Sequence, residues 1–226
     1  MFKNLLIALI LMLGMLMSVT VFAGFAEMQK ASWEQDYAAC KVEADKVLAD
    51  SEATIEDKAF AQILLGSYYY QQKEYDKSKI ENQKVLDDYP SVALRCTAAL
   101  NSIGWIQIMQ KEYDKAILTN QKLIADYSYA PADSVRFECA RAYNRIGSCY
   151  DIQGETEKAK TAYRKLLIEY PEQVRQTVKV FDKVDFASMT NEEVVTILER
   201  LLRATPSTAK NGAFLGRIKS DLEKFK

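Results

Sequence analysis

Gln-Lys-Glu-Tyr-Asp-Lys occupies residues 72–77 and recurs unchanged at residues 110–115. Two shorter pieces return with the same offset of 38 residues: Asn-Gln-Lys at 82–84 and 120–122, and Asp-Tyr at 88–89 and 126–127. A weaker third copy begins 43 residues further on, where Ile103-Gly104 returns as Ile146-Gly147. Repetition at this period is typical of repeat proteins in which one small structural unit stacks on the next.

Each repeat reads as two helices joined by a turn. The first helix carries a glycine in its middle, at Gly66, Gly104 or Gly147. A glycine there costs about 1 kcal/mol relative to alanine, which indicates that a second helix approaches closely. Twelve residues later come Ser78, Ala116 and Ala159, and we expect these small residues to face the glycines. Two second helices should end at Tyr89-Pro90 and Tyr170-Pro171, because proline stops a helix.

These motifs resemble those of the tetratricopeptide repeat family, whose pattern is W-x₂-L-G-x₂-Y, then A-x₃-F, then P. Leu65-Gly66-x₂-Tyr69 and Ile146-Gly147-x₂-Tyr150 fit the first part, and Ala159-x₃-Tyr163 fits the second. The sequence departs from the family at the tryptophan position and at the aromatic position of the first two repeats, where it has Asn82 and Asn120. The resemblance covers roughly residues 59–171 and implies an all-α fold, a helix-turn-helix repeat solenoid.

The segments on either side are expected to close the stack. Residues 24–58 should form an N-terminal capping region with one helix from Trp33 to Asp50. Residues 172–226 should form a degenerate fourth repeat plus a capping helix. Its second helix would start at Asn191-Glu192-Glu193, and the capping helix would run from Ala209 to Phe225. The apolar stripe of that last helix contains Phe214, Leu215, Ile218, Leu222 and Phe225.

The first 23 residues have the features of a secretory signal peptide: one lysine, an apolar run and a small-residue exit at Val21 and Ala23. Cleavage there would leave Gly24 as the first residue, and a second possible exit would leave Glu27. The alternative is an uncleaved membrane anchor, since residues 5–25 are just long enough to span a bilayer. Either way we expect an exported protein of the periplasm or cell envelope. We expect Cys40, Cys96, Cys139 and Cys149 to be buried thiols.

Composition removes several classes of function. The chain has 226 residues, 30 basic against 31 acidic side chains, and no histidine. A charge near zero gives no reason to expect a nucleic-acid partner, and the absence of histidine excludes histidine-based triads, zinc sites and pH switches. No phosphate-binding glycine loop and no metal-spaced cysteine cluster occurs. We therefore predict no catalytic residues, no metal and no cofactor, and a protein that is not an enzyme.

The family resemblance implies that the first helix of each repeat lines a concave groove that binds peptides or protein segments. It places ten residues there, which we call the predicted groove: Ile63, Ser67, Tyr70, Asn101, Trp105, Met109, Arg141, Asn144, Arg145 and Ser148. Arg141 and Arg145 share one helix face and could clamp a carboxylate. The alternative is that both are solvated and paired with Glu138 and Asp151.

The sequence therefore predicts a protein-protein interaction scaffold of the cell envelope. Its partner would be a protein or peptide, and membrane contact would come only through an uncleaved N-terminal segment. The alternative is a structural, self-associating subunit of an envelope assembly, with the apolar stripe of the C-terminal helix as the dimer seam.

Overall fold

The computed structural model describes residues 27–208 and 211–225, apart from residues 29, 32, 33 and 35 and the side chains of residues 174 and 175. Within these ranges the chain contains helices and turns but no strand. The helices are α1 (Tyr37–Ala49), α2 (Ile55–Gln71), α3 (Tyr75–Asp88), α4 (Ala93–Met109), α5 (Tyr113–Tyr127), α6 (Asp133–Ile152), α7 (Thr156–Glu169), α8 (Val174–Val180), α9 (Asn191–Ala204) and α10 (Gly212–Phe225). The predicted all-α fold of helix-turn-helix repeats is confirmed.

The chain divides into two compact units, residues 1–106 and 107–226, and the division falls within α4. In the first unit α1 packs on α2, and α2 packs on α3. A core of small and aliphatic side chains joins α1, α2 and two residues that precede α1. It contains Met28, Ala31, Cys40, Ala44, Val47, Ala61, Leu64 and Leu65.

The predicted helix from Trp33 to Asp50 is interrupted at Asp36. The helix α1 begins at Tyr37, the described residues 27, 28, 30, 31 and 34 before it are also helical, and Trp33 lies outside the described residues. Asp36 ends the preceding segment because its backbone is not helical and its carboxylate accepts a hydrogen bond from the Ala39 amide at 3.0 Å. An aspartate in this position is a favourable helix N-cap. The sequence contained this N-cap signal, but the apolar pattern continued on the N-terminal side of Asp36, so the predicted helix included Asp36.

The turn inside each repeat is the same in all three copies. After α2 the amide of Glu74 donates to the carbonyl of Tyr69 at 2.9 Å, and the amide of Lys73 donates to that of Tyr70 at 3.0 Å. These two bonds form a Schellman motif, which requires a left-handed residue after the helix. Lys73 and Lys111 take that conformation with φ of 61°, and Gly154 takes it with φ of 77°. Because the turn is set by the backbone, the repeats keep it even where glycine is absent.

Gly66 and Gly147 do mark close helix contacts, and the closest contact at each comes from a residue that the sequence analysis did not name. A β-carbon on Gly66 would lie 2.4 Å from Nδ2 of Asn82, and one on Gly147 would lie 2.3 Å from a ring carbon of Tyr163. These partners are sixteen residues after the glycine, not twelve. Ser78, at the predicted position, also contacts the first helix, because its hydroxyl donates a hydrogen bond to the Gly66 carbonyl at 2.6 Å.

In the second unit α5 packs on α6, and α6 packs on α7. The predicted fourth repeat has only a remnant of its first helix, the seven-residue α8, followed by 3₁₀ turns at Phe181–Lys183 and Phe186–Ser188. Its second helix, α9, begins at Asn191, where the sequence placed its start, and the N-cap is Thr190, which forms a capping box with Glu193. The closing helix α10 packs on α9, and the Phe181 and Phe214 rings meet edge to face at 5.2 Å.

The four cysteines are buried thiols, as the sequence predicted. None of the helices in the described ranges is long and apolar enough to cross a membrane. The predicted signal peptide, residues 1–23, lies outside the described residues, as do its exit residues Val21 and Ala23.

Candidate functional site

In the first unit, two residues of the predicted groove are joined by a hydrogen bond between helices. The indole N–H of Trp105 on α4 donates to the hydroxyl of Tyr70 on α2 at 2.8 Å. The Tyr70 ring also lies 5.7 Å from that of Tyr75. The Trp105 side chain remains 40% exposed although its indole N–H is hydrogen-bonded. A large side chain that is fixed in place and still exposed is a suitable anchor for a partner.

The other groove residues of the first unit contribute less surface. Ile63 and Ser67 are half-buried, and the Ser67 hydroxyl donates to the Ile63 carbonyl at 3.0 Å within α2. Asn101 is only 1% exposed, so its side chain cannot reach a partner without a rearrangement of α4. Neighbouring side chains therefore cover this residue of the predicted groove.

In the second unit, Met109 is 47% exposed, and the two predicted arginines are half-buried on α6. Arg141 donates to both carboxylate oxygens of Glu138, at 3.1 and 2.9 Å. That pairing is the solvated alternative considered for Arg141 from the sequence. Asp151, the other expected arginine partner, bonds to different residues. The amide of Asn144 donates to Gln176 on α8 at 3.2 Å, which ties the fourth-repeat remnant to α6.

Ser148 lies beside a polar cluster that the sequence analysis missed. The cluster consists of Asp151 on α6, Tyr163 on α7 and Lys183 in the first 3₁₀ turn. The Tyr163 hydroxyl donates to Oδ2 of Asp151 at 2.6 Å, and the Lys183 ammonium donates to the same oxygen at 2.9 Å and to the Tyr163 hydroxyl at 3.0 Å. The Ser148 hydroxyl lies 3.5 Å from the Tyr163 hydroxyl. Lys183 is in an irregular segment without repeat pattern, so no spacing rule could place it.

The electrostatics of this cluster indicate a structural role. Burial acts to raise the pKa of Asp151, but the hydrogen bonds from Tyr163 and Lys183 outweigh it, and the pKa is lowered. Burial, and then donation to Asp151, raise the pKa of Tyr163. The carboxylate is therefore ionised and the phenol protonated at neutral pH, which makes this a fixed ion-pair network. Its effect is to fasten the 3₁₀ segment to the third repeat.

Two of the buried thiols are not activated as nucleophiles. Burial raises the pKa of both Cys139 and Cys149 to about 11, so these thiols stay protonated at neutral pH, and a protonated thiol is a poor nucleophile. In the described part of the chain, no three cysteine or acidic side chains are grouped so as to hold a metal ion.

Comparison with known proteins supports the repeat assignment. The sequence model described as "Tetratricopeptide repeat" matches residues 140–168, which cover most of α6 and nearly all of α7. This is the third repeat, whose motifs fit the family pattern most closely. No curated protein matches the chain in sequence.

Solved structures of similar fold carry the name MamA. The structure "MamA RS-1 ArsTM double mutant" has a TM-score of 0.50 and 18% sequence identity, and the match covers 90% of this chain and 94% of that one. "MamA AMB-1 P212121" has a TM-score of 0.47 and 12% identity, covering 92% and 93%. At this level of identity the likeness concerns the fold alone.

Proposed function

We propose that this chain, a tetratricopeptide repeat protein, is a non-catalytic scaffold of the cell envelope that binds a peptide or protein segment. Such repeats serve in general as protein-interaction scaffolds. The binding residues would be those of the predicted groove, on the first helices of the repeats. The observation that carries this proposal is the exposed Trp105 side chain, fixed by Tyr70 across two first helices.

The chemistry of the bound segment follows from the exposed groups. In the first unit the Trp105 indole and the Tyr70 ring favour an apolar side chain of the partner, because large aromatic anchors dominate binding energy at interfaces. In the second unit the Arg141 and Arg145 side chains and the amide of Asn144 favour a polar or acidic one. Arg141 is already paired with Glu138.

A capture experiment with envelope extract tests the groove. Trp105→Ala should reduce the yield of the specific partner at least tenfold, because loss of a hot-spot aromatic costs about 2 kcal/mol or more. The double variant Arg141→Ala and Arg145→Ala should reduce it less. Ile80→Ala is the matched control, since Ile80 is 55% exposed but lies on the second helix α3. Equal yields from the wild type and both groove variants would contradict the proposal.

Export is a separate part of the proposal and rests on residues 1–23 of the sequence. N-terminal sequencing of the protein recovered from the envelope fraction should find Gly24 first, or Glu27 if the second exit is used. If the membrane-bound protein still began with Met1 or Phe2, the N-terminal segment would be an uncleaved membrane anchor and not a signal peptide.

The alternative function, self-association, would have less exposed apolar surface on α10 than the sequence indicated. Phe214, Ile218 and Leu222 of the proposed dimer seam are buried inside the second unit. Leu215 and Phe225 remain half-buried. Three of the five stripe residues therefore already have contacts within the same chain, which favours the scaffold over the dimer seam.

A further inference from the structure

A cavity of about 500 Å³ opens between α5, α6 and α7, within the second unit. Its floor is formed by Tyr143, Ile146 and Tyr150 of α6. Ile124 on α5 and Ala162 on α7 extend the apolar lining on either side. Cavities of about 300–1,000 Å³ with an apolar lining and a few polar groups are the usual sites of small ligands.

This cavity is separate from the predicted groove. Successive residues of an α-helix turn by about 100°, as 3.6 residues per turn require. Arg141, Arg145 and Ser148 therefore lie on one face of α6. Tyr143, Ile146 and Tyr150, which form the cavity floor, lie on roughly the opposite face. A ligand in the cavity would leave the groove residues of α6 accessible.

The charges at the rim leave one cation without a counter-charge. Lys158 pairs with Glu155 at 3.3 Å and lies over the Tyr150 ring, and Glu157 pairs with Lys160 at 2.9 Å. Lys165, which also lines the cavity, has no ion-pair or hydrogen-bond partner among the residues that the structure describes. The cavity therefore combines an apolar floor with a single uncompensated positive charge.

Two uncharged polar side chains also line the cavity. Gln121 on α5 lines the cavity and makes no hydrogen bond to the described part of the chain, so its amide can donate to a ligand. Thr161 on α7 donates to the Glu157 carbonyl at 2.9 Å but keeps its oxygen free to accept. One cation and one amide suit a singly charged carboxylate, whereas a phosphate group would require more positive charge.

We propose that this cavity binds a small amphipathic carboxylate, with its aliphatic or aromatic body on the Ile146 floor and its carboxylate paired with Lys165. The apolar body gains from leaving water, and the charged end remains at the rim where water is accessible. The site is independent of the proposed protein partner, since it uses the other face of α6.

The test is calorimetric titration of the full chain with octanoate and with octanamide, its uncharged analogue. Lys165→Met should weaken octanoate binding roughly three- to tenfold, as expected for loss of a partly exposed charge pair. The same change should leave octanamide binding within about twofold. Ala125→Trp fills the cavity from an exposed position on α5 and should reduce octanoate binding more than about tenfold.

Lys122→Met is the matched control, because Lys122 is on α5 beside Gln121, pairs with Asp126 at 2.6 Å and does not line the cavity. It should bind octanoate as the wild type does. Circular dichroism of each variant verifies the fold, which is expected to be intact because all three positions are exposed. The proposal is overturned if the wild type binds no octanoate at millimolar concentration, if it binds octanamide equally well, or if Lys165→Met and Ala125→Trp bind octanoate unchanged.

Discussion

Gly147→Leu is expected to lower the free energy of unfolding by about 3 kcal/mol, and Gly147→Ala by about 1–2 kcal/mol. Even the alanine β-carbon would lie 2.3 Å from the Tyr163 ring, which is 1% exposed and held at its hydroxyl by Asp151 and Lys183. Alanine gains about 1 kcal/mol in helix propensity over glycine. The ring cannot move aside without breaking its hydrogen bonds, so the steric cost exceeds that gain.

Urea unfolding of the purified variants measures this effect. Gly216→Ala is the control, because a β-carbon at Gly216 meets no atom within 4 Å in α10, and alanine should stabilise that helix by about 0.5–1 kcal/mol. Gly66→Ala should cost less than Gly147→Ala, since its contact is the end of the shorter Asn82 side chain. If Gly147→Ala is as stable as the wild type, α6 and α7 do not approach as described.

Tyr163→Ala should cost about 3–5 kcal/mol, the range for truncating a buried aromatic side chain. Its ring fills the space beside Gly147, and its hydroxyl connects Asp151 and Lys183. Tyr163→Phe keeps the ring and removes only the hydroxyl, so it should cost about 1–2 kcal/mol. The Asp151–Lys183 ion pair at 2.9 Å remains in that variant.

Urea unfolding of both variants separates the contribution of the Tyr163 ring from that of its hydroxyl. Limited proteolysis should also cut the segment 181–190 sooner in Tyr163→Ala than in Tyr163→Phe, because only the former loses the ring on which Lys183 rests at 4.8 Å. Equal stability of the two variants would show that the ring contributes nothing beyond its hydroxyl.

Much of the fold could be predicted because the signals are local. The repeated motifs located the helix pairs, and α3 and α7 end directly before Tyr89-Pro90 and Tyr170-Pro171, as predicted. The glycines correctly marked the close approach of two helices. Which residue faces a glycine depends on the angle and offset of the second helix, and the sequence does not contain that information. Hence the prediction named Ser78, which does bond to the Gly66 carbonyl, but it did not name Asn82, which a β-carbon on Gly66 would meet first.

The candidate site was less predictable because it depends on irregular or non-local contacts. Lys183 reaches Asp151 from a 3₁₀ turn 32 residues away. Asn101, which the sequence placed in the predicted groove, is covered by its neighbours. Among the described residues Lys165 is unpaired because the neighbouring acidic residues pair with other lysines, and these pairings are visible only in the three-dimensional structure. The sequence placed Trp105 in the predicted groove, but it could not predict the hydrogen bond to Tyr70.

Site-specific photo-crosslinking in cells that make the protein tests the central claim, that the first-helix face binds another protein. A benzophenone amino acid would replace Met109 of the predicted groove in one variant and Ile80 of α3 in the other. The two side chains are 47% and 55% exposed, so their access to solvent is comparable. The account predicts a covalent adduct with a different protein from position 109 and none from position 80. Adducts of equal yield from both positions, or adducts only between copies of this chain, would contradict it.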